Sequence, residues 1–118
     1  MFRQWIKPAL ISALFIGAIG STHASDRAKL GWVQIEDGAL LIDVRTPEEF
    51  ASGHLEGAVN IPLSELEQRL NTVDKSKQTV LYCRSGRRSG VAYEILRNAG
   101  YDNIHNAGGY SEMLSVKP

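Results

Sequence analysis

Apolar positions along this chain follow two rhythms. Ala39–Asp43 and Thr79–Tyr82 are short, nearly unbroken apolar runs, as in strands buried on both faces. Val59–Ile61 and Asn103–His105 are shorter strand candidates. Between these runs the apolar residues recur at helical spacing. Thr46-Pro47-Glu48-Glu49 predicts a helix start, with Thr at the N-cap, Pro at N1 and Glu at N3, and Gly53 as its C′ residue. Ser64–Glu67 repeats the capping-box spacing and sets Leu63, Leu66 and Leu70 on one face. Ser89–Ala99 places Val91, Ala92, Ile95, Leu96 and Ala99 on one stripe that stops at Gly100. Lys29–Asp37 reads as a further helix. Strands alternating with helices predict a single α/β domain, with a mainly parallel sheet covered by helices on both faces. Ligands of such sheets bind beyond the carboxyl ends of the strands.

Met1–Ala24 departs from this rhythm. Arg3 and Lys7 precede the uncharged run Ala9–Ile19, and Thr22 and Ala24 stand at the −3 and −1 positions of a cut after Ala24. This is the pattern of a cleavable secretory signal peptide, and the run is short for a spanning helix, which needs roughly 20 apolar residues. The expected product is a periplasmic domain, 25–118, free of the membrane. Losing Arg3 and Lys7 changes the charge from 13 basic against 13 acidic residues to 11 against 13. A chain without a basic excess does not suit nucleic-acid binding. Its single cysteine, Cys83, excludes an internal disulfide and any multi-cysteine metal centre. Export would leave that thiol unpartnered in an oxidising compartment, where it is a liability unless buried or used.

Cys83 ends the second apolar run and is followed by Arg84-Ser85-Gly86-Arg87-Arg88-Ser89 before a helix. Gly86 permits a sharp turn that aims successive backbone N–H groups at one centre, and the helix start adds its free N–H groups and dipole. A thiolate held there should ionise below the ordinary cysteine value of about 8.5. A cysteine phosphatase would place an arginine at the sixth position after the cysteine, to fork onto phosphate. Here that position is Ser89, and Arg88 comes one residue early. The shorter ring suits a single added sulfur better than a tetrahedral phosphoryl group.

The chain resembles the rhodanese (sulfurtransferase) family at four places in order. These are Leu41–Arg45 with Thr46–Phe50, Gly53–Pro62, the loop Cys83–Ser89, and Asn106–Gly109, the last resembling the family's closing turn. Its signal peptide and single short domain look most like the small periplasmic rhodaneses of the phage-shock type. The resemblance implies a thiosulfate sulfurtransferase working by double displacement through a Cys83 persulfide. The loop residues Arg84, Ser85, Gly86, Arg87, Arg88 and Ser89 would bind the donor. The acceptor would be a thiol, or cyanide in an assay, with no metal or cofactor. The molecule is expected to be a monomer.

Asp43 is expected as a structural carboxylate at a strand end, accepting from the cysteine loop or pairing with an arginine. Arg45 is expected in a supporting role too, and His54 as a structural histidine. Two other classes stay open on the residues alone: a persulfide carrier or binding module for a specific partner protein, and, less well matched, a phosphatase or arsenate reductase.

Overall fold

The computed structural model describes residues 26–118. The expected signal peptide and its cleavage point lie outside the described residues. A helix over 26–36 (α1) leads to β1 (Leu40–Asp43), α2 (Pro47–Ser52), β2 (Val59–Asn60) and a 3-10 segment (Leu63–Thr72). Then come β3 (Thr79–Cys83), α3 (Arg87–Asn98), β4 (Ile104–Gly109) and α4 (Tyr110–Ser115). The strands form one sheet, all parallel, in the order β2-β1-β3-β4. The expected α/β architecture is the observed one.

Strand side chains alternate between faces, so each apolar run feeds two cores. Ile42, Leu81, Cys83 and Ile104 meet Leu66, Ala92 and Leu96 under the 3-10 segment and α3. Leu41, Val80, Tyr82 and Ala107 meet Ala28 and Met113 under α1 and α4. With both faces covered, every residue of β3 is buried, which accounts for its unbroken apolar sequence. From β1 the chain crosses to β2 on one side, and from β3 to β4 on the other. The carboxyl ends of β1 and β3 therefore flank the point where the winding reverses, the place where a crevice opens in such sheets.

The Thr46 capping box forms as predicted, with the Glu49 N–H donating to Thr46 Oγ1 at 3.2 Å and the Thr46 N–H to Glu49 Oε1 at 3.0 Å. The box read at Ser64 does not form. The chain tightens instead into 3-10 geometry directly after Pro62, with the Leu63 N–H spent on the Val44 carbonyl and the Glu65 N–H on Pro62. Leu66 is buried there, with Leu63 and Leu70 packed beside it. Helix α3 starts two residues before the predicted Ser89. Its buried positions are Ser89, Ala92 and Leu96, which turns Val91 out to 48% exposure rather than into the core. Asn106–Gly109 is not a turn but the last four of the six residues of β4, paired with β3 across a register shift at Leu81/Tyr82.

Leu81 is fully buried at the centre of the sheet. Leu81→Ala should lower unfolding free energy by about 2–5 kcal/mol, read as a shift in the urea midpoint with an unchanged slope.

Candidate active site

The site is built where β3 ends. Cys83, its last residue, is completely buried, and its side chain lies in the core shared by Val44, Leu66 and Ala92. Three residues, Arg84, Ser85 and Gly86, then separate it from Arg87, the first residue of α3. Gly86, in the left-handed region at φ 97°, makes that reversal and caps the helix. Its N–H consequently points back at Cys83 Sγ, 3.0 Å away. Ser89, buried in the first turn of α3, brings its hydroxyl to 3.4 Å from the same sulfur.

Burial is the largest single influence on the Cys83 thiol and opposes ionisation. The hydroxyl and amide of Ser89 and the amides of Ser85 and Gly86 together outweigh it, and hold the thiol below its ordinary range. The sequence expectation of an activated thiol in an amide cradle thus has a geometric basis.

One residue that organises the cradle lies in the Asn106–Gly109 segment, where its type and spacing alone give no sign of a role at the site. Asn106, on β4, accepts from Ser89 Oγ at 2.7 Å and from the Gly108 N–H at 3.1 Å, and donates to the Gly86 carbonyl at 3.1 Å. It links the Gly86 turn and the first turn of α3 to the neighbouring strand. A hydroxyl has one proton, so Ser89 serves Asn106 or the sulfur at any moment. Gly109 lies so close to the loop that a Cβ would overlap the Arg84 carbonyl.

The other site candidates divide by burial. Arg84, Ser85 and Arg87 are exposed. Arg84 and Arg87 make no ion pair among the described residues. Arg88 is turned aside, its guanidinium held by both carboxylate oxygens of Glu49 at 2.7 and 2.9 Å. Asp43 has no exposure and takes the second of the two roles foreseen for it. Arg45 contacts it through Nε at 3.0 Å and Nη2 at 2.6 Å, donates its own N–H at 2.8 Å and reaches the Gly53 carbonyl at 2.6 Å. The Arg45 guanidinium also lies over the Tyr110 ring. This pair braces the turn after β1, on the sheet face away from the sulfur. Asn60 completes the brace, donating to the carbonyls of Asp43 and Arg45. His54 is exposed, stacks on Phe50 and bonds the Phe50 carbonyl.

Two hollows of about 300 Å³ flank α2. One, of about 290 Å³, has Val44, Leu63 and Arg88 in its wall, and the other has Arg84, Arg45 and Tyr110. The Glu49–Arg88 pair stands between them. Both open beside the carboxyl ends of β1 and β3.

The family model of the rhodanese-like domain matches residues 28–115. The chain belongs to the rhodanese family. The rhodanese is 45% identical to the thiosulfate sulfurtransferase PspE of Escherichia coli over 78 residues, 64% of this chain and 75% of that protein. It is 40% identical over 91 residues to the human thiosulfate:glutathione sulfurtransferase, covering 64% of this chain and 79% of the relative. A solved structure described as a rhodanese with anions from E. coli matches with TM-score 0.60 and 44% identity, over 64% of this chain and 91% of that one. The matched region of the rhodanese contains the cradle, Asn106 and the Asp43–Arg45 brace.

Two outcomes follow from these contacts. The Arg88 guanidinium, followed by the Thr46 amide, holds the Glu49 carboxyl at about 2, against an ordinary 4.5. The unfolded chain therefore binds the extra proton between those values, and this contribution to stability is present above about pH 4.5 and lost as pH falls toward 2. Glu49→Gln should flatten the pH dependence of the urea midpoint across that window. Ser89→Ala removes a donor to the sulfur, and should raise the midpoint of Cys83 alkylation against pH by about half to one unit.

Proposed function

We propose that the chain moves the outer sulfur of thiosulfate to a thiophilic acceptor through a persulfide on Cys83. The Cys83 thiolate attacks the outer sulfur. The S–S bond of thiosulfate breaks with its electron pair leaving on sulfite, and a Cys83 persulfide anion remains. A thiolate acceptor, or cyanide in an assay, then takes the terminal sulfur, giving a persulfide or thiocyanate and returning the Cys83 thiolate. Each step is a displacement at sulfur between anions, so the protein's task is to hold negative charge and align the partners. The amides of Ser85 and Gly86 and the Ser89 hydroxyl receive that charge. The exposed guanidinia of Arg84 and Arg87 draw in the dianionic donor.

One observation carries the choice of chemistry. Position six after Cys83 is Ser89, and the arginine next to it in sequence, Arg88, is bound to Glu49. A tetrahedral phosphoryl group would find no arginine fork there, whereas a single sulfur needs only the N–H and hydroxyl donors around Sγ. The names of the relatives, thiosulfate sulfurtransferase among them, support the same reading. We place the working protein in the periplasm, as the product of cleavage after Ala24, on the strength of the 1–24 pattern alone.

The test is mass spectrometry after thiosulfate treatment, which should find one added sulfur on the Cys83 peptide. A parallel assay should show sulfur transfer to cyanide and negligible hydrolysis of an aryl phosphate. Cys83→Ser should fold normally and lose transfer. Residual activity within about tenfold of wild type, about 1.4 kcal/mol in the barrier, would overturn the assignment, as would faster phosphate hydrolysis than sulfur transfer.

A further inference from the structure

Arg27 takes no part in the steps above, yet it lies directly behind the loop that performs them. From the start of the described part of α1, its Nη2 donates to the Ser85 carbonyl at 3.3 Å. Its Nε and Nη2 grip the two carboxylate oxygens of Glu112 on α4 at 2.9 and 2.8 Å. Glu112 Oε1 also accepts the Gly109 N–H at 3.2 Å, and Gly109 is the residue pressed against Arg84. The Arg27 carbonyl is tied to His105 Nε2 on β4 at 2.8 Å. Gly86 in the loop and Gly108 on β4 show how tight the fit is. A Cβ on Gly86 would come within 2.6 Å of Arg27 Nη2, and one on Gly108 within 2.6 Å of Arg27 Nε.

We propose that Arg27 is a positioning residue for the Cys83 loop, bracing Ser85 and Gly86 from behind and setting a fixed positive charge against the amides that face the sulfur. The arrangement has a polarity. The three atoms nearest the missing side chain of Gly86 all belong to Arg27 and none to Glu112. The cation thus faces the segment whose N–H reaches the sulfur, while the carboxylate sits toward Gly108 and Gly109. The other groups around Cys83 are the exposed Arg84 from the loop, the exposed Arg87, the Glu49-paired Arg88 and Ser89 from α3, neutral Asn106 from β4, and the apolar Val44 and Leu66 from the β1 exit and the 3-10 segment. Arg27 is therefore the charge that α1 sets against this loop. The inference rests on Cys83 being the reactive thiol of the proposed function.

The experiment follows the alkylation rate of Cys83 against pH, with the unfolding midpoint recorded for each variant. Arg27→Gln should raise the alkylation midpoint by about half a unit, and slow sulfur loading from thiosulfate at neutral pH by up to about threefold. Arg27→Lys keeps the charge and should recover most of the midpoint. Glu112→Gln removes the negative partner but leaves the cation, so its midpoint should hold or fall even if stability drops. Arg69→Gln, in the exposed pair with Glu65, should leave the midpoint in place. A wild-type midpoint in Arg27→Gln would overturn the proposal. So would equal upward shifts in Arg27→Gln and Glu112→Gln, which would indicate a loosened loop rather than a lost charge. Alkylation reports the thiol itself. A protein with the expected midpoints but no sulfur transfer would count against the proposed function and leave the role of Arg27 standing.

Discussion

Negative charge on Cys83 has no water to rely on. The sulfur ends a fully buried strand, so its ionised form must be met by protein dipoles already in position. Much of the surrounding structure follows from that demand. The left-handed Gly86 turns its N–H to the sulfur, and a buried serine sits where a helix of this length would ordinarily carry an apolar residue. Asn106 satisfies the loop from the adjacent strand, and Gly109 lets that strand approach closely enough to do so. The bulge between β3 and β4 falls at this same point, where two neighbouring parallel strands would otherwise run in register.

The charged groups near the site show a second regularity. Asp43 is matched by Arg45, Glu49 by Arg88 and Glu112 by Arg27, while Arg84 and Arg87 face solvent unmatched by carboxylates among the described residues. Three pairs serve as braces, each joining chain segments distant in sequence or set at a turn. The two remaining arginines give the mouth of the loop its positive sign. Braces of this kind rarely add much stability, because desolvation offsets most of their attraction. Their effect is on geometry: they define where the loop, α2 and the turn after β1 sit relative to one another.

Several elements were legible from the residues alone because their causes are local. The Thr46 cap depends on four consecutive residues, and the β3 strand on an unbroken apolar run. The failure at Ser64 has the opposite character. Its spacing is right for a cap, but the Leu63 N–H just before it is claimed by the Val44 carbonyl at the exit of β1, and the helix tightens instead. Val91 was misplaced for a related reason. Ser89 occupies the inward position that an apolar count would never award to a serine, and the stripe shifts accordingly.

What the sequence by itself determined is the fold class, the family and the identity of the thiol, along with a loop one residue too short for an arginine fork on phosphate. These depend on spacing within short segments, which the chain carries whatever its distant parts do. Only the tertiary structure decided which arginines are free. Arg84, Arg87 and Arg88 are alike in sequence, yet Arg88 is bound to a glutamate 39 positions earlier. Arg27 and Asn106 likewise gain their places through contacts across 58 and 20 positions of chain. Pairings at that range are set by how helices pack on the sheet, and no local pattern records them.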